Sequence, residues 1–192
     1  PVKTKKLGRG TMGMFTRTRE NVPIEVAVAP RADHPETTLA HELGHYLDNH
    51  LGRQKNGAFA SEMAAYNLES PLRDWWHTVQ ESQAYKDLVD LRDHPERHRQ
   101  EVVYYTQDGR PIRAMSEPDG RFMEYLTRPR EIWARSYAQY VSLRSGNMDM
   151  QVQISQQRND DAIYSQKQWT PEDFGPIAQA IDQLLQDLGW TE

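Results

Sequence analysis

The stretch "TTLAHELGHYLDNHLG", residues 37–52, decides how this chain is interpreted. Its apolar residues recur three and four positions apart, which predicts an amphipathic helix. The predicted apolar stripe consists of Leu39, Leu43, Tyr46, Leu47 and Leu51. We expect a cap at Asp33 or His34 and Pro35 in the first turn. Gly52 is expected to end the helix, because glycine readily adopts the left-handed conformation found there.

His41 and His45 are four residues apart, so on this helix their imidazoles project from one face about one turn apart. Two nitrogens at this spacing can bind one Zn²⁺ ion. Glu42 is rotated about 100° from His41, so it flanks the metal, and the H-E-x-x-H pattern indicates a general base. Gly44 leaves room for another backbone or for substrate. The alternative is an ordinary amphipathic helix with two surface histidines.

A hydrolytic zinc site needs a third protein ligand, and the chain has no cysteine to supply it. Glu131 in "RPREIWARSYAQYV" is the candidate, because Glu131, Ala134 and Ala138 share one face of a predicted helix. A face of such small residues could pack closely against the helix of His41 and His45. The alternative for Glu131 is a glutamate in the first turn that complements the helix dipole.

Other titratable residues are weaker candidates. Asp48 lies one turn beyond His45 and is expected either to accept a hydrogen bond behind a metal ligand or to be a surface charge. His50 is expected to face solvent. His94 and His98 are also four residues apart, but their charged, proline-containing segment predicts a solvated helix start.

Length and composition predict a single domain. The chain has 192 residues, enough for one core, and its 37% hydrophobic and 27% charged residues are typical of a globular protein. The net charge of −5 conceals a basic start, since residues 1–20 carry six basic side chains against Glu20 alone. We expect residues 1–10 to be a basic arm or linker, which could contact nucleic acid, and residues 11–192 to be the domain.

Nothing in the sequence indicates a membrane protein. No apolar run approaches the roughly 18 residues of a spanning helix, and no apolar segment of a signal peptide follows the first basic residues. The lack of cysteine also fits a reducing compartment. We therefore expect no membrane partner and a cytoplasmic location.

The remaining pattern predicts an α+β fold that is mostly helical. Residues 10–18 and 24–30 read as two strands around a turn, and together they predict a small N-terminal antiparallel sheet. Helices are expected within 57–100 and from about Pro129, with a hairpin or ordered loop over 101–121. Residues 147–168 are expected to be a loop. Thr170 is expected to cap the last helix.

The segments "TTLAHELGHYLD" and "TRPREIWARSYAQYV", with a strand pair before them, resemble the zincin metallopeptidases of the gluzincin type. The chain is most similar to the compact zincin-like domains within large polyvalent proteins of bacteriophages and conjugative elements. Those domains end in a helix similar to "TPEDFGPIAQAIDQLL", so the resemblance spans most of residues 11–188. The metzincin branch does not fit, because the chain has Asp48 and Leu51 where that branch has glycine and then histidine or aspartate.

The resemblance implies a zincin-like fold in which a strand at the edge of the sheet flanks the H-E-x-x-H helix. It implies that His41, His45 and Glu131 bind zinc and that Glu42 is the general base. The edge strand of zincins binds extended substrate, a role expected here of Ile24, Glu25, Val26, Ala27 and Val28.

A zincin also needs a donor for the oxyanion of the transition state. The candidates are Tyr104, Tyr105, Tyr125, Tyr137, Arg128 and Arg135. Tyr105 is preferred, because a loop between the two motif helices could bring it over the metal.

The sequence thus predicts a zinc metalloendopeptidase that hydrolyses peptide bonds of a protein or peptide substrate with a zinc-bound water activated by Glu42. An alternative from another class is a zincin-shaped binding or structural module with little or no proteolysis, within a phage or mobile-element protein. A third possibility, a protease acting on DNA-linked proteins, is supported by the basic arm alone.

Overall fold

The computed structural model describes residues 1–55, 59–159 and 168–191, and within them the fold is α+β and mostly helical. The strands are β1 Val2–Thr4, β2 Gly13–Arg17, β3 Pro23–Val28, β4 Gln100–Tyr105 and β5 Pro111–Ser116. The helices are α1 Pro35–Gln54, α2 Ala60–Ala65, α3 Arg73–Glu81, α4 Gln83–Asp93, α5 Gly120–Leu126, α6 Pro129–Ser145, α7 Met148–Asn159 and α8 Pro171–Asp187. None of the helices in this part of the chain is long and apolar enough to cross a membrane.

The N-terminal sheet has the order β1-β3-β2, with β3 parallel to β1 and antiparallel to β2. The expectation of a purely antiparallel sheet with an edge strand at 24–28 is therefore wrong. β3 pairs with β1 on one side and with β2 on the other, and it contains Ile24, Glu25, Val26, Ala27 and Val28. The alternation of residue types in β3 predicts a strand with one buried face, but it does not distinguish a central strand from an edge strand. β2 lies at the edge.

The start of the chain contacts the sheet, in contrast to the separate basic arm or linker expected over residues 1–10. Val2–Thr4 pairs with β3, and Leu7 is buried against Ala27 and Ala29. Lys3 and Lys5 both form ion pairs with Glu25, with Lys3 Nζ 3.3 Å from Glu25 Oε2. These pairs reduce the positive charge that this segment could offer to nucleic acid.

Helices α1 and α6 pack closely because small residues lie between them. A Cβ atom at Gly44 would lie 2.9 Å from Ala134 Cα, so only glycine fits there. Trp133 Nε1 donates a hydrogen bond of 2.9 Å to the Gly44 carbonyl oxygen and so ties the two backbones together. This confirms the close approach expected from Gly44 and from the alanine face of α6.

The buried face of α1 differs from the predicted leucine stripe. Leu47 and Leu51 are buried as expected, but Leu39 and Leu43 are only half-buried and Tyr46 is 40% exposed. The most buried positions near the helix middle are instead small or polar, because Gly44 faces α6, Glu42 faces β2 and Asp48 faces α2. Gly52 also lies inside α1, where an added Cβ would lie 2.7 Å from Ala60 N.

The remaining elements surround one large core. Trp75, Trp133, Trp169 and Ile177 are buried in it, contributed by α3, α6, the segment before α8, and α8. Thr170 caps α8 by accepting a 3.2 Å hydrogen bond from the backbone N–H of Asp173, as predicted.

Two regions outside this core test the remaining expectations. The hairpin expected over 101–121 is present as β4 and β5. The loop expected over 147–168 is wrong for residues 148–159, which form α7 and bury Met150 and Ile154. Residues 160–167 lie outside the described residues.

Candidate metal centre

Helices α1 and α6 bring together the three side chains that the sequence nominated as metal ligands. Glu131 Oε2 lies 3.6 Å from His41 Nε2 and 3.6 Å from His45 Nε2. The three candidate ligand atoms lie within 4.8 Å of one another. Ligand bonds of about 2.0–2.1 Å in a tetrahedral site place neighbouring ligand atoms roughly 3.3–3.4 Å apart, close to this spacing.

The hydrogen bonding of Glu131 fits a cation. Its Oε2 atom is buried and has no hydrogen-bond partner among the described residues. Burial alone would raise the pKa of Glu131, but the two imidazoles of His41 and His45, each 3.6 Å away, outweigh it and hold the pKa well below its ordinary value. A buried carboxylate oxygen without a donor is costly, and a bound cation removes that cost.

The two histidines have different environments. Burial lowers the pKa of His41. Burial acts in the same direction on His45, but Glu131, Glu42 and Asp48 outweigh it and raise the pKa. Imidazole binds a metal in its neutral form, so His41 is already in the binding state near neutral pH, whereas His45 must lose its proton more often.

Glu42 lies beside this cluster and is only 8% exposed. Burial raises its pKa to about 7, although a hydrogen bond from the backbone of Phe15 acts against it. Because Phe15 belongs to β2, the edge strand faces Glu42. A carboxylate whose pKa is near neutral can both accept and release a proton at neutral pH.

Gly13 of β2 makes room for Glu42, a role that sequence reasoning missed. A Cβ atom at Gly13 would lie 2.6 Å from Glu42 Oε1 and 2.7 Å from Thr38 Cγ2. A glycine inside a predicted strand is a known sign of a close approach, so the sequence did hold this signal.

Asp48 is not a surface charge. It is fully buried, and its carboxylate accepts hydrogen bonds from the Ser61 backbone N–H at 2.8 Å and from Ser61 Oγ at 2.6 Å. These bonds anchor the start of α2 to α1, because the Ser61 N–H lies in the first turn of α2, where helical N–H groups lack partners. Burial raises the pKa of Asp48 to about 7.

Replacing Asp48 with asparagine is expected to change how stability depends on pH. The folded state favours protonated Asp48, so its contribution is fully present below the ordinary pKa of 3.8 and is lost as pH rises to about 7. The free energy of unfolding of the wild type should therefore fall relative to Asp48→Asn between pH 4 and 7, by on the order of 3 kcal/mol. Urea unfolding of chelator-treated protein measures this difference.

The exposed Asp149, replaced in the same way, serves as the control. If the free energies of unfolding of the wild type and Asp48→Asn differ by the same amount from pH 4 to 7, Asp48 ionises in the folded protein without cost.

Tyr125, and not Tyr105, lines the cleft beside the candidate centre. Tyr105 is 74% exposed on the β4–β5 hairpin. Tyr125 of α5 lines a cleft of about 440 Å³ together with His41 and Glu42. Burial, the charge of Glu131 and a hydrogen bond to that carboxylate all raise the pKa of Tyr125. The hydroxyl is therefore protonated and available as a donor at neutral pH.

The other nominated histidines lie outside the cluster. His50 is half-buried and stacks on Tyr46 near the end of α1. His94 and His98 border a short 3-10 turn, where His98 Nε2 lies 2.7 Å from an Asp90 carboxylate oxygen. The segment is thus a short 3-10 turn that follows α4, with both histidines half-buried, where the sequence predicted a solvated helix start.

Comparison with known proteins found no protein-family model, curated protein or solved structure that matches this chain significantly. A functional assignment therefore depends on the residues of the site. These are two imidazoles and a carboxylate around one point, a second buried carboxylate beside them, and a tyrosine hydroxyl across the cleft.

Proposed function

We propose that this chain is a zincin-type zinc metallopeptidase in which His41, His45 and Glu131 hold the metal. The observation that carries the proposal is the position of Glu131 Oε2, 3.6 Å from both imidazoles and without a hydrogen-bond partner in the described part of the chain. A zinc ion bound there supplies a Lewis acid that acidifies water and polarises a peptide carbonyl.

Glu42 moves the proton of the reaction. Its carboxylate takes a proton from the attacking water as the water oxygen bonds to the carbonyl carbon. It then gives that proton to the amine nitrogen as the C–N bond breaks, so the products are an amine and a carboxylic acid, which ionises by releasing the second proton of the water to solvent. A pKa of about 7 suits both transfers near neutral pH.

Substrate is proposed to lie along β2. This strand is at the edge of the sheet and faces Glu42, so an extended peptide that pairs with it passes the centre. Ile24, Glu25, Val26, Ala27 and Val28 lie one strand further in and are not available for this pairing. The substrate-binding role that the sequence analysis gave to β3 therefore passes to Gly13–Arg17.

Tyr125 is proposed to donate a hydrogen bond to the carbonyl oxygen as that oxygen becomes negative. Tyr125→Phe is expected to lower kcat about a hundredfold with little change in KM, because this bond strengthens only in the transition state. Steady-state cleavage of a fluorogenic peptide measures both constants. Tyr105→Phe is the matched control and should have the kcat and KM of the wild type. A lowered kcat in Tyr105→Phe together with a normal kcat in Tyr125→Phe would assign this role to Tyr105 instead.

The direct test is zinc-dependent cleavage of an unfolded protein. Purified protein is expected to bind about one zinc ion per chain and to cleave the substrate. Cleavage should stop when a chelator removes the metal. Protein that takes up no added zinc would refute the metal site.

The binding or structural module remains a second candidate. The observation that favours it is the β4–β5 hairpin, which exposes Val103, Tyr104, Tyr105 and Met115. Stoichiometric zinc binding without cleavage of any unfolded substrate would support this second function.

A further inference from the structure

A second cleft, of about 270 Å³, lies on the β2 side of the candidate centre. It shares Glu42 and Glu131 with that centre, and its other side is formed in part by Arg17, Phe59 and Arg130. Arg17 ends β2, and Arg130 directly precedes Glu131 in α6. A peptide that follows the edge of β2 past Glu42 would therefore meet two guanidinium groups.

Both guanidinium groups pack on the ring of Phe59. The Cζ atom of Arg17 lies 4.6 Å from the ring centroid, and that of Arg130 lies 5.6 Å from it. Cation–π contacts of this kind hold a planar guanidinium in place while leaving its N–H groups free to bind. Both cations line the same cleft, where their like charges favour an anion beside them.

The hydrogen bonding of Arg130 supports a missing anion. Arg130 Nε is buried and has no hydrogen-bond partner among the described residues. The nearest carboxylate oxygen, Glu131 Oε1, is 4.0 Å away, which is too long for a hydrogen bond. A buried donor without an acceptor costs free energy, so a ligand that supplies an acceptor to Arg130 Nε would bind favourably.

We infer that Arg17 and Arg130 bind a carboxylate of the peptide substrate and give the enzyme a preference for acidic peptides. This inference rests on the proposed function, since it is the β2 edge beside Glu42 that brings a peptide to this cleft. Arginine suits the task because its planar fork of N–H groups matches the two oxygens of a carboxylate.

The register of β2 limits where the carboxylate lies in the substrate. Gly13 is beside Glu42, and Arg17 is four residues further along the strand. At about 3.4 Å per residue, this is roughly 14 Å, so the carboxylate belongs within about four residues of the cleaved bond. Its source is either an acidic side chain or the C-terminal carboxylate, and both have the same binding chemistry.

The test uses matched fluorogenic peptides that carry glutamate or glutamine at each of four positions on either side of the cleaved bond. For one glutamate position, we expect kcat/KM of zinc-loaded protein to exceed that of the glutamine peptide about ten- to hundredfold. Arg17→Gln and Arg130→Gln should each bring the ratio of kcat/KM for the glutamate and glutamine peptides close to one. Arg110→Gln, an exposed change on the hairpin, should keep it.

The two sources of the carboxylate are separated by amidating the peptide C-terminus. A preference that survives amidation assigns the carboxylate to the side chain. If the only preference seen is one for a free C-terminus over its amide, the carboxylate is the terminal one. In either case, loss of the preference in Arg17→Gln would show that the carboxylate binds in this cleft. Arg17 is distant from the metal ligands in sequence.

A binding measurement separates failure of this inference from failure of the proposed function. Zinc-loaded Glu42→Gln protein should bind a labelled glutamate peptide more tightly than the glutamine peptide by fluorescence anisotropy, and Arg17→Gln in that background should remove the difference. Cleavage with no acidic preference would overturn the carboxylate site and leave the peptidase intact. Selective binding of acidic peptides with no cleavage in the wild type would uphold the carboxylate site and overturn the peptidase.

Discussion

Glu42→Gln is expected to abolish peptide cleavage while leaving about one zinc ion bound per chain. Glutamine keeps the shape of the side chain but cannot take a proton, and general-base catalysis contributes about 10²–10⁴-fold to such reactions. Glu42 is not one of the three clustered ligand candidates, so the metal should stay. Initial rates on a fluorogenic peptide and metal analysis of the same sample measure the two properties.

Glu36→Gln is the matched control, because Glu36 is an exposed glutamate in the first turn of the same helix. It should retain wild-type activity. Loss of zinc together with activity in Glu42→Gln would mean that Glu42 is a ligand. Activity above about one-tenth of wild type would mean that another group takes the proton.

Gly13→Ala gives an independent route to the same conclusion. The added Cβ would lie 2.6 Å from Glu42 Oε1 and would displace the carboxylate without changing its chemistry. We expect reduced cleavage with zinc retained. An unchanged rate would show that the position of Glu42 tolerates displacement, which a proton-transfer role does not allow.

The second large effect is expected from Glu131→Gln, which should weaken zinc binding by about a hundredfold or more. Loss of residues that merely support metal ligands costs about 10–100-fold in affinity, and loss of a ligand should cost at least as much. The amide also leaves the two imidazoles without the anionic partner that they share at 3.6 Å. Competition with a fluorescent zinc chelator measures the affinity.

Thermal unfolding provides a second measurement of the same effect. Zinc should raise the Tm of the wild type, because a ligand that binds only the folded state stabilises it, and it should raise the Tm of Glu131→Gln much less. Glu124→Gln, an exposed glutamate on α5, is the control and should respond to zinc like the wild type. Equal zinc affinity in Glu131→Gln and wild type would exclude Glu131 as the third ligand.

Several features of the site could be predicted because they depend on local geometry. The four-residue spacing of His41 and His45 places both imidazoles on one helix face wherever that helix packs. Thr170 could be identified as a helix cap for the same reason. Glu131 was a longer inference; small residues in both motif helices predicted their close contact, which places Glu131 beside the two imidazoles.

Other features depended on contacts between distant segments. Tyr105 and Tyr125 are both tyrosines between the motif helices, and only the packing of α5 places Tyr125 beside the cleft. The alternation of β3 predicted a strand correctly, but the pairing of Val2–Thr4 with it made it central. The sequence left Asp48 as either a hydrogen-bond acceptor behind a metal ligand or a surface charge, and only its contact with α2 shows that it is buried.

The sequence by itself determined the residue types of the candidate site: two imidazoles four residues apart, a glutamate between them, and no thiol that could replace them. Helical periodicity is a property of the backbone, so these relations hold before any tertiary contact forms. Only the tertiary structure decided which strands lie at the edges of the sheet, which tyrosine lines the cleft, and that Arg17 and Arg130 both pack on Phe59. Those relations join residues that are far apart in the chain, and they arise from packing, which the order of residues in one sequence does not reveal.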